Sequence, residues 1–357
     1  MSMAQDGAQV QPVISVSNLH KRFNLEAGFF ARLGRFVYAV NGVSFTIGRN
    51  ETYGLVGESG CGKTTTARLL VRMYEADEGE IIYRSNDGNS GDVRKLKGED
   101  FRRYREKVKY VFQDPARSLN PRMTVFDILT SGARWSARRH DAPGKLREEA
   151  AAILEEVGLS GADLERRPAE FSGGQRQRIS IARGLMMEPE LLICDEVVSA
   201  LDVSIQGQIL NLLIDLRNRR QSSGQDNSRR DISFLFIAHD LKVACYFCDR
   251  IGVMYQGEIM EEAPAGDLWK NHLHPYTELL FSSAGNAVPP GSPSGSQKSE
   301  SKAALAGLSS VSCCAFAPRC PYAEDRCFRE KPGLRDAEDG HKLRCWRDGI
   351  LGQRKNI

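Results

Sequence analysis

The most informative residues of this chain form a glycine-rich segment, 57–64, that ends in a lysine and a threonine. It reads Gly-Glu-Ser-Gly-Cys-Gly-Lys-Thr and fits the pattern G-x-x-x-x-G-K-[ST]. Glycines let backbone N–H groups close around phosphate oxygens, and the N-terminus of a following helix adds partial positive charge. Lys63 would contact the β- and γ-phosphates of a nucleotide, and the Thr64 hydroxyl would bind Mg²⁺. The predicted nucleotide-binding residues here are Gly57, Glu58, Ser59, Gly60, Cys61, Gly62, Lys63, Thr64 and Thr65.

The sequence on either side predicts the two elements that must position this segment. Residues 52–56 form an apolar run typical of a buried strand, and residues 65–71 have the character of a helix. A phosphate-binding loop needs this order of strand, loop and helix. A glycine-rich turn that matched the pattern by chance would not need it, so the flanking sequence favours phosphate binding.

Two adjacent carboxylates, Asp195 and Glu196, follow an apolar run at residues 191–194. At the end of a buried strand, Asp195 would hold the Mg²⁺ shell, and Glu196 would act as the general base for the attacking water. A strand end that simply meets solvent is the alternative interpretation. The phosphate-binding pattern upstream favours the catalytic interpretation.

A further glycine pair lies in residues 172–175, Ser-Gly-Gly-Gln, directly before an amphipathic segment. Ser172 is predicted to cap the helix that follows. Gly173 and Gly174 would leave the N-terminal amides of that helix free to face an anion. An ordinary capped helix start is the alternative for this segment.

Length and composition bound the class of protein. A chain of 357 residues suggests about two domains. The net charge of +3 is too small to indicate a nucleic-acid or membrane footprint by itself. Residues 1–11 are polar, and no apolar run reaches about 18 residues, so we expect neither a signal peptide nor a membrane span. Any membrane role would then be carried by a partner.

The order of apolar and amphipathic segments predicts an α/β core interrupted by a helical insertion. Residues 13–112 are mainly β in character, residues 114–187 are largely helical, and residues 188–262 alternate between strands and helices. The apolar runs at 191–194 and 234–237 are typical of buried parallel strands. A polar stretch at 221–230 is predicted to be a surface loop.

Together these motifs resemble the ATP-binding-cassette (ABC) family of ATPases over about residues 13–262. The resemblance rests, in chain order, on residues 57–64, Ser172, Gly173, Gly174 and Gln175, Asp195 and Glu196, residues 199–202, and His239. It implies a P-loop NTPase (RecA-like) core with an antiparallel β subdomain and a helical insertion at about 114–187. It also implies a head-to-tail dimer with two ATP molecules at the interface. Each site would then combine the phosphate loop of one chain with residues 172–175 of the other.

The same resemblance implies roles for single residues. Gln113 resembles the glutamine that touches Mg²⁺ and the attacking water, and His239 resembles the histidine that contacts the γ-phosphate and steadies Glu196. Asp202 would couple the two sites of the dimer. The implied catalytic residues are Glu196, His239, Gln113 and Lys63, and the implied Mg²⁺ ligands are Thr64, Gln113 and Asp195.

Two positions fit the family pattern less closely. Phe23 resembles the aromatic residue that stacks on adenine, with Tyr38 as the alternative because extra residues separate Phe23 from the next predicted strand. Val197 stands where the family usually has proline after the catalytic glutamate. Because Glu196 itself is unaltered, we expect hydrolysis to survive this departure.

Four further segments resemble the ATPases of dipeptide, oligopeptide and nickel importers, namely residues 111–115, 118–122, 199–206 and 274–277. That resemblance implies a peripheral subunit at the cytoplasmic face of the cytoplasmic membrane, docked on two transmembrane permease subunits. It also implies a second ABC ATPase, either a copy of this chain or a paralogue, and indirectly an extracytoplasmic solute-binding protein. No nucleic-acid partner is implied.

The implied reaction is hydrolysis of ATP to ADP and phosphate, which would power uptake of di- or oligopeptides. Import of nickel or another small solute is the alternative within the subfamily, because the ATPase does not touch the solute. A soluble ABC ATPase acting on ribosomes or DNA is the alternative from another class. The sequence carries one cassette, no heptad insert and the importer-type tail, all of which favour the importer.

Beyond and before the cassette, composition predicts the remaining organisation. Residues 1–12 are predicted to be a disordered N-terminus, and residues 263–285 a helical extension of the ATPase domain at 13–262. The high content of Pro, Gly and Ser predicts a linker at 286–312, followed by a Cys-rich region at 313–357.

Five of the nine cysteines of the chain lie in this last region. In a cytosolic chain such a cluster indicates metal binding rather than disulfides. Four thiolates from a small, loop-rich segment can hold zinc or an iron–sulfur cluster. The subfamily resemblance implies a [4Fe–4S] cluster, with zinc and metal-free cysteines as alternatives, and with Cys313 as a spare ligand. The predicted ligands are Cys314, Cys320, Cys327 and Cys345.

Overall fold

The structure is a computed structural model, which describes residues 11–24, 36–133, 136–199, 201–222, 231–283, 312–338 and 340–347. Several sequence predictions lie outside these described residues. They are the disorder of residues 1–10, most of the polar loop at 221–230, the linker up to residue 311, and the end of the Cys-rich region from 348 onwards.

The described residues contain twelve strands and ten α-helices. The strands are β1 (Ile14–Asn24), β2 (Phe36–Ile47), β3 (Thr52–Val56), β4 (Glu78–Arg84), β5 (Ser90–Asp92), β6 (Val108–Val111), β7 (Leu191–Asp195), β8 (Ser233–Ala238), β9 (Arg250–Tyr255), β10 (Glu258–Pro264), β11 (Arg335–Glu338) and β12 (His341–Leu343). The helices are α1 (Lys63–Leu70), α2 (Gly98–Lys107), α3 (Pro115–Ser118), α4 (Val125–Thr130), α5 (Pro143–Glu156), α6 (Gly173–Leu185), α7 (Val203–Ser222), α8 (Leu241–Phe247), α9 (Ala265–Asn271) and α10 (Pro275–Ser283).

The strands form two sheets. The larger one has the order β11-β12-β10-β9-β3-β8-β7-β6, and its five strands from β9 to β6 are parallel. Strands β7 and β8 are buried along their whole length, as their continuous apolar sequences predict. The smaller sheet is antiparallel, with the order β2-β1-β4-β5. The ring of Phe45 stacks on Tyr53 with centroids 5.0 Å apart and so joins the two sheets.

The stretch between β6 and β7 contains helices and turns but no strand within the described residues. Its apolar side chains, among them Ile128, Leu154 and Phe171, join the same core as β7 and β8. The amphipathic run predicted to be helical forms α5. The predicted architecture, a parallel core with an antiparallel β subdomain and a helical insertion, is confirmed.

The C-terminal segment, defined here as residues 312–338 and 340–347, extends the larger sheet. β12 pairs with β10, so the domain boundary predicted at residue 262 falls inside a paired strand. Three glutamates of β10 are 0–3% exposed and meet lysine or histidine side chains of this segment. The pairs are Glu258 with Lys331 (2.6 Å), Glu261 with His341 (2.7 Å) and Glu262 with Lys342 (3.6 Å). A buried carboxylate needs such partners, which explains why the segment docks here.

Across the part of the chain that the structure describes, no helix combines the length and the apolar character that crossing a membrane would require.

The side chain of His274 makes the stability of this region sensitive to pH. It is 1% exposed, and its Nδ1 accepts a hydrogen bond from the N–H of Tyr276 at 3.0 Å. Burial lowers the pKa of His274 to about 4, and the nearby charge of Glu261 offsets only part of this effect. Between about pH 6.5 and pH 4 the unfolded chain binds a proton here that the folded chain does not. The free energy of unfolding is therefore expected to fall as the pH decreases through this window, by about 3 kcal/mol at most.

Urea denaturation of the wild type and of His274→Gln at about pH 7 and about pH 5 measures this effect. The variant should lose less stability than the wild type over that interval, whatever its stability at neutral pH. Equal losses in the two proteins would contradict the prediction.

Candidate functional site

Four neighbouring parallel strands bring the predicted catalytic residues to one edge of the larger sheet. β3 leads into the phosphate loop (57–64), β6 ends two residues before Gln113, β7 ends at Asp195, and β8 is followed by His239. The carboxyl ends of parallel strands are where open α/β sheets bind their ligands, because the loops there converge on one crevice.

Close backbone contacts explain two of the glycines in the phosphate loop. A Cβ atom on Gly62 would lie 2.0 Å from the carbonyl oxygen of Ala39, and one on Gly57 would lie 2.1 Å from that of Met254. Gly62 also has a φ of +111°, which residues with a side chain rarely adopt. The loop is therefore folded tightly against β2 and β9, and larger residues do not fit at these two positions.

The ammonium group of Lys63 lies inside the loop. The residue is 4% exposed, and its Nζ donates hydrogen bonds to the carbonyl oxygens of Gly57 at 2.7 Å and Glu58 at 2.9 Å. A cation is thus held among the backbone groups of the loop at the start of α1, where the helix dipole adds further positive charge. Such an arrangement suits a phosphate group.

Thr64 and Asp195, the predicted Mg²⁺ ligands on loop and strand, are in contact. The Thr64 hydroxyl donates to Oδ1 of Asp195 at 2.9 Å, and the Tyr110 hydroxyl donates to Oδ2 at 2.5 Å. Burial, and then the charge of Asp195, raises the pKa of Tyr110, so the phenol stays protonated and keeps donating. A hydroxyl and a carboxylate held side by side are the hard oxygen ligands that Mg²⁺ prefers.

Glu196 contacts Gln113 and lines a cavity with His239. The Gln113 amide donates to Oε2 of Glu196 at 2.7 Å. Glu196 and His239 line a cavity of about 70 Å³ together with Ser199 and Gln206. A carboxylate at the wall of a small cavity can accept a proton from a water molecule there, which is the chemistry of a general base.

The residue type at position 197 affects the backbone of Glu196, which has a φ of +48°, in the left-handed region. A proline at 197 would restrict residue 196 towards extended conformations, because its ring crowds the preceding backbone. Valine imposes no such restriction, and its side chain is 1% exposed in the core.

Residues 172–175 begin helix α6 as a capping box. Ser172 Oγ accepts from the N–H of Gln175 at 3.3 Å, and Gln175 Oε1 accepts from the N–H of Ser172 at 2.9 Å. The predicted cap is therefore confirmed. Gly173 is exposed, whereas Gly174 packs so closely on α7 that a Cβ would lie 2.7 Å from Ile205 Cγ2.

Asp202, the predicted coupling residue, is exposed immediately before α7. Its carbonyl oxygen accepts the N–H groups of Ile205 and Gln206, both at 2.9 Å. Asp202 thus lies at the exposed start of α7, the helix on which Gly174 packs.

The two candidate adenine-stacking residues lie on the paired strands β1 and β2. Phe23 is half-buried and meets Tyr74 edge to face, with ring centroids 5.4 Å apart. Tyr38 is also half-buried and directly precedes Ala39, whose carbonyl contacts Gly62. The choice of Phe23 over Tyr38 stays a prediction.

The four predicted metal ligands line one cavity of about 20 Å³ in the C-terminal segment. Burial raises the pKa of Cys314 to about 11, and burial also raises the pKa of Cys320 and of Cys345. The N–H of Cys314 donates to the carbonyl oxygen of Cys327 at 2.9 Å. Within the described residues, however, no group of three or more His, Cys, Asp or Glu side chains is arranged to hold a metal ion. The thiols converge as the sequence predicts, and metal binding by them stays a prediction.

Sequence analysis missed three residues of this region. Tyr110 bonds Asp195, the hydroxyl of Tyr276 accepts the N–H of Glu58 at 2.9 Å, and Arg319 bonds the Glu58 carboxylate. In the sequence, Tyr276 belongs to a segment, 274–277, that only resembles importer ATPases, and Arg319 lies in the Cys-rich region. No local spacing could have linked them to a loop more than 200 positions away in the chain.

Solved structures with a similar fold are ABC cassettes. The chain matches cbiO1 of Clostridium perfringens, part of the ABC transporter complex cbiONQ, with a TM-score of 0.59 and 21% identity over 73% of this chain and 91% of that one. It matches the dimeric structure of MJ0796, a bacterial ABC transporter cassette, with a TM-score of 0.56 and 25% identity over 71% and 98%. The fold therefore defines an ATP-binding cassette.

Sequence comparisons agree with this assignment of the fold. The family model described as "ABC transporter" matches residues 40–199, and the one described as "Oligopeptide/dipeptide transporter, C-terminal region" matches residues 260–327. The chain is 39% identical over 342 residues to the oligopeptide transport ATP-binding protein AppF of Bacillus subtilis (strain 168), covering 95% of this chain and 98% of that protein. It is 41% identical over 343 residues to a putative peptide import ATP-binding protein of Brucella ovis, covering 95% and 99%. The chain belongs to the ABC transporter family, as an ATPase with the C-terminal region of oligopeptide/dipeptide transporters.

Proposed function

We propose that this chain is the ATP-hydrolysing subunit of an importer that takes up di- or oligopeptides. The observation that carries the proposal is the combination of an ABC nucleotide site with the oligopeptide/dipeptide transporter region at 260–327. The names of AppF and of the Brucella relative support peptides as the solute. Uptake of nickel or another small solute is the alternative within the same subfamily.

The geometry of the site supports in-line hydrolysis of ATP. Lys63 would bind the β- and γ-phosphates, and Phe23 would stack on adenine. Thr64, Gln113 and Asp195 would hold Mg²⁺, which would supply charge neutralisation at the phosphates. Glu196 would accept a proton from the water whose oxygen attacks the γ-phosphorus. The bond from that phosphorus to the β,γ-bridging oxygen would break, releasing ADP and phosphate.

His239 would steady Glu196 and bond the γ-phosphate from the other side of their shared cavity. The Gln113 amide would keep Glu196 in position through its 2.7 Å hydrogen bond. Gln113 lies where the sheet core meets the helical insertion. This contact would therefore also transmit the presence or absence of the γ-phosphate to a partner.

The surface position of the capping box supports a head-to-tail dimer. Ser172 and Gly173 are exposed at the N-terminus of α6, and Asp202 is exposed at the start of α7. In the proposed dimer these residues, with Gly174 and Gln175, face the phosphate loop of a second ABC ATPase, a copy or a paralogue. The dimeric MJ0796 cassette is the structural precedent.

The proposed complex contains two membrane permeases, with this chain docked at their cytoplasmic face and a solute-binding protein outside. The test is affinity purification of this chain from its own cells in mild detergent, with identification of the associated proteins. Recovery of two multi-span permeases and an ABC ATPase is the expected result. Recovery of ribosomal or other soluble partners alone would contradict the importer and leave the ATPase chemistry standing.

We further propose that Cys314, Cys320, Cys327 and Cys345 hold a [4Fe–4S] cluster. Two observations support this proposal. The four thiols converge on one cavity, and all four cysteines are free rather than paired in disulfides. The thiols would have to lose their protons on binding, as metal sites require.

Iron and acid-labile sulfide are to be measured after oxygen-free purification of the full chain. About four of each per chain is expected for the wild type. Cys327→Ser should lose most of both, whereas Cys245→Ser, which changes a half-buried thiol outside the cavity, should keep them. Stoichiometric zinc without iron would favour the alternative metal, and metal-free protein would contradict the site.

A further inference from the structure

The C-terminal segment contacts the phosphate loop through Arg319. The guanidinium of Arg319 makes two hydrogen bonds to the carboxylate of Glu58, from Nη1 to Oε2 and from Nη2 to Oε1, both 2.8 Å long. Glu58 is the second residue of the loop. A planar guanidinium that meets a carboxylate through two parallel bonds is stronger and more directional than a single ion pair. The segment therefore holds a side chain of the loop itself.

Arg319 rests on an aromatic cluster that bonds the same loop residue. Its guanidinium carbon lies 5.6 Å from the ring centroid of Tyr255 and 5.8 Å from that of Phe316. The ring of Tyr276 lies 4.7 Å from Tyr255 and 5.4 Å from Phe316, and its hydroxyl accepts the Glu58 N–H at 2.9 Å. Backbone and side chain of Glu58 are thus both bonded by this cluster, at a position where the Arg319 and Glu58 side chains are 42% and 40% exposed.

We propose that Arg319 is a positioning residue for nucleotide binding, which acts through Glu58 and makes the C-terminal segment part of the nucleotide site. It neutralises a carboxylate that would otherwise repel the phosphates of ATP. It also stabilises the first two residues of the loop, Gly57 and Glu58, whose carbonyl oxygens accept hydrogen bonds from Lys63. The inference rests on the proposed binding of MgATP by this loop.

The sign of the change in nucleotide affinity separates this role from a merely structural one. Loss of Arg319 leaves a free carboxylate beside the phosphates, whereas loss of the Glu58 charge leaves a free cation there. Arg319→Gln should therefore weaken nucleotide binding, whereas Glu58→Gln should not weaken it. A general loss of packing would weaken binding in both.

The experiment compares the full-length wild type with Arg319→Gln, Arg319→Lys, Glu58→Gln and the double variant Arg319→Gln/Glu58→Gln. The dissociation constant for MgATP is measured by calorimetric titration, and KM and kcat are measured for hydrolysis. Arg319→Gln should raise the dissociation constant and KM about three- to tenfold, with kcat changed less than about twofold. Glu58→Gln should bind MgATP as tightly as the wild type or more tightly. The double variant should recover most of the loss, and Arg319→Lys, which keeps the charge, should lose less than Arg319→Gln.

The matched control is Arg329→Gln, in the same segment. Arg329 pairs at 3.8 Å with Asp325, and their side chains are 77% and 94% exposed, so wild-type binding is expected. Wild-type affinity of Arg319→Gln, or a double variant no better than Arg319→Gln, would overturn the inference. If Arg319→Gln does not fold, Arg319→Lys and the double variant still decide it. A wild type that binds no MgATP would instead refute the proposed function, before any variant is compared.

Discussion

Glu196→Gln is expected to slow ATP hydrolysis by about 10²- to 10⁴-fold while leaving MgATP binding intact. An amide of nearly the same shape cannot accept a proton from the attacking water, so the general base is lost. The Oε1 atom of the new amide can still accept the hydrogen bond that Gln113 now donates at 2.7 Å, so the local structure should persist. The variant should also accumulate as a closed dimer with ATP, because binding is no longer followed by hydrolysis.

Phosphate release and gel filtration with and without MgATP measure these two effects. Glu188→Gln is the matched control, since Glu188 is an exposed glutamate with the same φ of +48° and lies outside the site. It should hydrolyse ATP at the wild-type rate. Wild-type hydrolysis by Glu196→Gln would refute the assignment of the general base.

His341→Leu is expected to lower the free energy of unfolding by about 3 kcal/mol at neutral pH. It removes one hydrogen-bond partner of Glu261, whose carboxylate is 0% exposed and lies 2.7 Å from the His341 Nε2. Burial acts to raise the pKa of Glu261, but hydrogen bonds from His341 and from the Leu273 N–H outweigh it, and the net pKa is lowered. A buried charge that loses its partner is costly, because no water replaces that partner.

The pH dependence follows from the direction of this shift. A carboxyl with a lowered pKa in the folded state stabilises the protein above its ordinary pKa, and this stabilisation is lost as the pH falls through the lowered value. The difference between wild type and His341→Leu should therefore shrink in acid. Urea denaturation measures both effects.

Lys342→Gln is the control for the His341 variant. It changes the next residue of the same strand, which is 40% exposed and lies 3.6 Å from Glu262, so the expected loss is below about 1 kcal/mol. Equal losses for His341→Leu and Lys342→Gln would contradict the importance of the buried pair. Recovery of part of the stability in His341→Leu/Glu261→Gln would support it, because that variant no longer buries a charge.

The parts of the site that sequence analysis predicted depend on residues close together in the chain. The phosphate loop needs glycines where backbone atoms approach within 2.0–2.1 Å of an added Cβ, and that need appears directly as a glycine pattern. The cap formed by Ser172 and Gln175 is likewise local, three residues apart. Continuous apolar runs predicted β7 and β8, because a strand buried on both faces has no polar positions. These features determine the fold class and the nucleotide chemistry.

Contacts between distant residues could be decided only by the tertiary structure. Tyr110 meets Asp195 across 85 positions, and Arg319 meets Glu58 across 261 positions. Neither pair has a spacing that a local pattern could reveal, since the sheet order and the docking of the C-terminal segment bring the partners together. The C-terminal segment reads in sequence as a separate Cys-rich region after a linker. In the structure it extends the larger sheet, because the buried glutamates of β10 find partners in its Lys331, His341 and Lys342 side chains. The sequence alone determined which chemistry the chain carries, and long-range packing decided which residues hold that chemistry in position.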